Sequence, residues 1–277
     1  MKMICLSAVL LLLAAGCGPR KGIGESSRKK VSDGLVVNVD NMTMDISWPT
    51  HRGKLISGYN IYISREPLAQ KYRSASLPKT VKPFNRIPFP GDTEPEDGIE
   101  HYQAKGLENG VKYYVSVRVV YPDGKLSKPS PERLVVCGPR GEMSLSIRYQ
   151  SNQDGYSFAR DSYVRADAGD NDLMFYSKDG TDYLDSPVKL DGFLRNCRLA
   201  KIPFKGDFHE VNGKLESLDD LNFGERVTIK PEDWILLITP EKGHALINVI
   251  GITGEGENRK ARLYFAYSEL PGGELFF

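Results

Sequence analysis

The sequence predicts an all-β protein, an N-terminal sandwich followed by a second β-sandwich or β-roll. Three observations predict it. Short runs rich in Val, Ile, Tyr and Phe recur along the chain, and several alternate apolar with polar residues at the period of two that a half-buried strand requires. Turn signals such as PDG at 122–124, KDG at 178–180 and PEKG at 240–243 punctuate them. No stretch of ordinary helix length carries an apolar period of 3.6, and 27 Gly with 17 Pro in 277 residues suits a turn-rich chain.

Before the first strand the chain reads as an address. Lys2, the apolar run 4–15 and the small residues Ala14, Ala15 and Gly16 have the layout of a secretory signal over residues 1–16, and the run is too short to span a bilayer. Leu13-Ala14-Ala15-Gly16-Cys17 resembles a bacterial lipobox, with Ala14 where Leu, Val or Ile is usual. The resemblance implies that Cys17 is acylated and becomes the first mature residue, so that acyl chains hold the protein to a membrane without crossing it. Gly18, where a retention signal would place Asp, implies the outer membrane. Residues 17–31, rich in Gly, Ser and basic side chains, cannot build a core and read as a flexible tether.

The first folded unit is expected over 32–138. LVVNV (35–39), MTMDISW (42–48), YNIYIS (59–64), YYVSVRVV (113–120) and PSPERLVV (129–136) are its strand candidates, with Trp48, Tyr59, Ile61 and Ile63 facing inward. The stretch LENGVKYYVSVRVV followed by PDGKLSKPS is similar to the signature of fibronectin type III domains, and Leu107, Gly110 and Tyr113 fall on its characteristic positions, with Asn109 where Pro is usual. The resemblance implies that Trp48 is the core Trp of the second strand and that the Tyr113 hydroxyl bonds back to the backbone just upstream, stapling a corner between strands. About thirty-five Pro-rich residues precede EHYQAKGL (100–107), more than such a domain spends there. Phe84 and Phe89 are expected to tuck under the sandwich, with Asp92, Glu94, Glu96 and Asp97 in solvent; the other reading makes Phe84, Ile87 and Phe89 a contact surface.

Residues 139–277 are expected to form one β-rich domain of about eight strands, with Trp234, Ile235, Leu237, Ile247, Val249, Leu263 and Phe265 in its core. Asp167, Asp170 and Asp172 in DAGDNDL are oxygen ligands at a spacing that Ca²⁺ accepts, but the motif lacks the central Gly and distal Glu of an EF-hand, so a hydrated turn is the preferred reading. Asp179, Asp182 and Asp185 are read in the same way. Cys137 and Cys197 are the only mature thiols besides Cys17, and export permits a disulfide between them. His209 and His244 are too few for a haem or zinc set, and His244, beside a turn, is expected at the surface.

A net charge of +1, zero once the signal is removed, excludes a general nucleic-acid binder. No G-x-S-x-G elbow, P-loop, dinucleotide Gly fingerprint or H-E-x-x-H occurs, so neither a catalytic set nor a cofactor is expected. The expected function is that of a lipid-anchored lipoprotein of the bacterial envelope with a binding, presentation or structural role, its partners being the membrane and an envelope protein or glycan. The alternative is a glycan-acting enzyme or accessory carbohydrate-binding module, for which Tyr156, Tyr163, Tyr176 and Tyr183 would stack on sugar rings.

Overall fold

The computed structural model describes residues 34–73, 76–92, 97–148, 151–190, 192, 195–204 and 221–270. The signal, Cys17, the tether, Glu94, Glu96 and His209 lie outside the described residues.

Alternation sets the first sandwich. Strands β1 (Val36–Asp40), β2 (Thr43–Pro49) and β4 (Ile99–Lys105) form one antiparallel sheet in the order β1-β2-β4. Its partner is β3-β5-β6, from β3 (Gly58–Ser64), β5 (Lys112–Val120) and β6 (Arg133–Val136). This is an immunoglobulin-like arrangement, in which β1–β2 and β5–β6 are neighbours within a sheet and the chain crosses between the two facing sheets at β2–β3, β3–β4 and β4–β5. Met44, Ile46 and Trp48 from one sheet and Tyr59, Ile61, Val115 and Val117 from the other meet in a single core. Tyr62, on the face opposite Tyr59 and Ile61, is buried on the outside of its sheet, as is Arg118. The guanidinium of Arg118 donates to the carbonyls of Tyr72 and Ser127, so the segment after the short helix α1 (Leu68–Lys71) is drawn over that face.

The long Pro-rich segment closes an edge. Phe89 and Tyr59 exchange backbone hydrogen bonds at 2.7 and 2.8 Å, and the Asn85 side chain plugs the next rung, accepting from the Ile61 amide and donating to the carbonyls of Tyr59 and Ile87. The β3 edge is thus sealed without a further strand. Phe89 packs edge-on against Trp48 and Tyr102, as expected, whereas Phe84 and Ile87 stay exposed.

Leu107 is buried, Gly110 has φ +68°, and the Tyr113 hydroxyl accepts from the Glu108 amide at 3.0 Å. Tyr113→Phe is expected to cost about 1–2 kcal/mol, because the half-buried Glu108 N–H loses its acceptor; a denaturant midpoint equal to wild type would contradict that role. Asn109 ties this corner to the β1–β2 turn, accepting from the Met42 amide and donating to the Asn41 side chain.

The second sandwich has ten strands among the described residues, where about eight were expected. Sheet one runs β13-β11-β10-β8-β9, from β8 (Gly155–Ser157), β9 (Ser162–Val164), β10 (Leu173–Lys178), β11 (Thr181–Asp185) and β13 (Arg226–Ile229). Sheet two runs β12-β14-β15-β16-β7, from β7 (Arg140–Ser146), β12 (Arg198–Ile202), β14 (Trp234–Ile238), β15 (His244–Thr253) and β16 (Lys260–Ser268). Three-residue strands such as β8 and β9 are too short for alternation to reveal, which is why the count fell low. Ile235, Leu237, Ile247, Val249, Leu263 and Phe265 line the space between the sheets, while Trp234 belongs to a smaller cluster on the outer face of sheet two with Leu236, Leu246 and Phe204.

Only Cys137–Pro139 separates β6 from β7. The Tyr267 amide donates to the Pro139 carbonyl at 2.8 Å, and Asn41 donates to Asp161 across the junction. Gly138 and Gly110 both lie where a side chain would meet the backbone of Tyr267 and Glu269.

Candidate functional site

The first sandwich carries a cleft of about 340 Å³ at the end where β1 begins. Its position follows from strand lengths. β2 runs on to Pro49 beside β4, but β1 begins only at Val36 opposite Ser47. Thr50 donates to Gly98 on the β4 side, so Pro49 is the residue that turns toward β1, and it has no N–H to extend the ladder. Across the gap the segment 127–131 stands in for the first half of the last strand. Ser127 and Ser130 donate their amides to the Val119 and Val117 carbonyls, and their hydroxyls accept from the amides of those same residues. Pro129 and Pro131 leave that wall, too, short of donors.

The cleft is apolar below and cationic above. Trp48, Leu35 and Val117 form a buried floor, and Arg52 and Lys128 stand exposed at the rim with no ion-pair partner among the described residues. Behind the floor the Tyr59 hydroxyl accepts from the His51 amide at 2.9 Å and donates to Glu100 at 3.1 Å, and burial pushes its pKa up to about 12. Glu100 in turn accepts from the Asp92 amide, and Asp92 from the His101 amide. Glu100 was legible in EHYQAK as an acid on the inward parity of its strand; the rim cations carried no signal in sequence, since loop charges are usually just solvated.

The acids singled out in the second half do not converge. Asp167 is held in a bidentate pair by Arg165, Asp170 pairs with Arg160, and fully buried Asp172 accepts from Arg195 and from the Phe158 amide. Each carboxylate is therefore directed to a different arginine rather than to a common centre. Asp182 is bidentate with Arg259, and Asp185 with Arg226, all four contacts being 2.6 Å. Burial works against the Asp182 carboxylate, but the Arg259 hydrogen bonds prevail and hold its pKa below the usual range. Asp179 sits at φ +51° before Gly180 in the β10–β11 turn. Among the described residues no three His, Cys, Asp or Glu side chains could share a metal ion.

The tyrosines divide. Tyr156 is buried in the second core, and Tyr163 packs edge-on against it with its hydroxyl on the Ser144 amide. Tyr176 and Tyr183 are direct cross-strand partners on β10 and β11, with centroids 6.2 Å apart and an interplanar angle of 27°. Cations already cover this pair: Arg226 lies 5.1 and 4.8 Å from the two centroids and Arg148 lies 3.9 Å from that of Tyr176.

Two expectations are corrected. Cys137 and Cys197 are free and stand in different cores, Cys137 against the Thr43 carbonyl and Cys197 against Asp172. Each side chain points into its own sandwich, so no disulfide joins them, and burial raises both thiol pKa values, that of Cys137 to about 12. His244 is buried rather than at the surface, because β15 begins at the turn itself and carries it directly opposite Ser268. Its Nδ1 and the Ser268 hydroxyl have no hydrogen-bond partner among the described residues.

Burial lowers the His244 pKa from its ordinary 6.5. The folded state then binds fewer protons than the unfolded one, so stability is full above about pH 6.5 and falls as the pH drops below it. His244→Phe is expected to flatten the melting-temperature profile between about pH 7 and about pH 5; an unchanged slope would assign the acid sensitivity to another group.

No helix among the described residues is long and apolar enough to cross a membrane. No protein-family model matches the chain, and no curated protein matches it. Among solved structures, 83% of the chain is similar to 38% of a twitchin kinase region from C. elegans, at 12% identity and a TM-score of 0.26.

Proposed function

We propose that this chain is a lipid-anchored lipoprotein of the bacterial envelope, held in the outer membrane by acyl chains on Cys17, that binds or presents an envelope partner without catalysing a reaction. The observation that carries the reading is the run Leu13–Cys17 behind a charged start and a short apolar stretch. In this reading residues 32–138 are a fibronectin type III-like domain, supported by its strand order and by the hydrogen bond from the Glu108 amide to Tyr113, and residues 139–277 form the second domain. The non-catalytic part of the proposal draws on Asp167, Asp170, Asp172, Asp182 and Asp185, which pair with arginines instead of facing one another. Fatty-acid labelling in cells tests the anchor. The wild-type chain is expected to take up label and to fractionate with membranes, and Cys17→Ser to do neither; a Cys17→Ser chain that still fractionates with membranes refutes the reading.

A second reading, an accessory carbohydrate-binding module, has one specific observation in its favour, the near-parallel Tyr176–Tyr183 pair. Retention of the chain on envelope glycan, abolished by Tyr183→Ala, would support it; retention unaffected by that change would remove the pair from consideration.

A further inference from the structure

We infer that the cleft of the first sandwich binds a small amphiphilic anion, an aromatic or aliphatic body carrying a carboxylate, sulfonate or phosphate group. The inference deepens the binding reading, on which it rests, but it does not need the acyl anchor.

Three features define the ligand. First, a concavity of about 340 Å³ is the size of a small-molecule site, and sites of that kind combine an apolar lining with a few placed polar groups. Second, the walls offer few main-chain donors. Pro49 on one side and Pro129 and Pro131 on the other have no N–H, and the amides of Ser127 and Ser130 are already given to β5. An extended peptide therefore finds no ladder to join, so β-strand addition is disfavoured. What the walls do offer is proline rings and the half-buried side chain of Val119, against which a flat or aliphatic body packs. Third, the rim is electropositive. Arg52 and Lys128 both line the cleft and are exposed, with no carboxylate partner among the described residues, while Glu100, behind the floor, is turned inward onto Tyr59 and the Asp92 amide. A ligand whose anionic group stays at the mouth gains from both cations without burying a charge.

The test uses the full chain carrying Cys17→Ser, so that neither detergent nor lipid competes and a failed anchor leaves the result interpretable. Naphthalene-2-sulfonate is titrated against the ¹⁵N-labelled protein, with naphthalene-2-methanol as a neutral counterpart of the same shape. The sulfonate is expected to give saturable shifts at the amides of Arg52, Ser127, Lys128 and Ser130, and to bind about tenfold more tightly than the alcohol. Arg52→Glu with Lys128→Glu, both at exposed positions, is expected to weaken the sulfonate about tenfold and to leave the alcohol within twofold. Absence of saturable shifts at those amides overturns the inference, as does equal affinity for the two probes or a charge-reversed chain that binds the sulfonate as wild type does. Shifts that appear only in the wild-type sequence truncated before Gly34 would show that the chain's own preceding residues fill the cleft, and would likewise overturn it.

Discussion

Gly138→Ala is expected to lower the melting temperature by roughly 6–12 °C, from an overpacking cost of about 3 kcal/mol spread over a fold of this size. The methyl group would be driven into the carbonyl oxygen of Tyr267, a backbone atom on β16. Relief by a small shift is denied because the Tyr267 amide is bonded to the Pro139 carbonyl one residue further on. The same strain reaches both halves of the molecule, since Gly138 lies between the last strand of one sandwich and the first of the next. Calorimetry of the variant distinguishes the outcomes: a loss in this range with one shared transition is the expectation, and a variant that melts within 2 °C of wild type would mean that the junction gives way freely.

Asp172→Ala is expected to cost about 3–5 kcal/mol, the penalty for stripping one partner from a buried ion pair. The carboxylate is fully buried and takes Arg195 Nε at 2.9 Å and Nη2 at 2.5 Å on one oxygen and the Phe158 amide at 2.8 Å on the other. Alanine leaves an amide and part of a guanidinium without an acceptor inside the fold, with Glu241 compensating only from the exposed side. Asp170→Ala, two residues earlier and paired with Arg160 at the surface, is expected to change stability by no more than about 0.5 kcal/mol. Urea midpoints of the two variants measured together decide the matter: comparable losses would mean that the motif acts as a unit, as a shared ion would make it act. Added Ca²⁺ is expected to leave the wild-type midpoint where it is.

This contrast shows where sequence stops informing. DAGDNDL announces three acids but not their partners, since Arg160 and Arg165 are local whereas Arg195 arrives from 23 residues downstream. Strands declared themselves where alternation ran for five residues or more, as in YNIYIS and the stretch ending in Tyr267, because burial of one face imposes the period directly. The corner at Leu107, Gly110 and Tyr113 was legible for a different reason: its geometry admits few side chains, so those side chains betray it. His244 was misread because burial on the outer face of a sheet depends on what packs over it from elsewhere, which the residues beside the turn do not announce. The cleft was invisible for a related reason. It is made by β1 beginning late, and where that strand begins is decided by its neighbour's Pro49 rather than by its own residues.

The Asn85 plug has a consequence for life at a surface. Molecules confined to two dimensions by an anchor meet one another at effective concentrations far above those of the same molecules in solution, and an open strand edge on each would invite neighbours to zip together. A single carboxamide that answers both the donor at Ile61 and the acceptor at Tyr59 removes that invitation from one side of every copy. Under the anchoring proposed above, crowding would leave the protein a field of separate heads instead of a fused sheet.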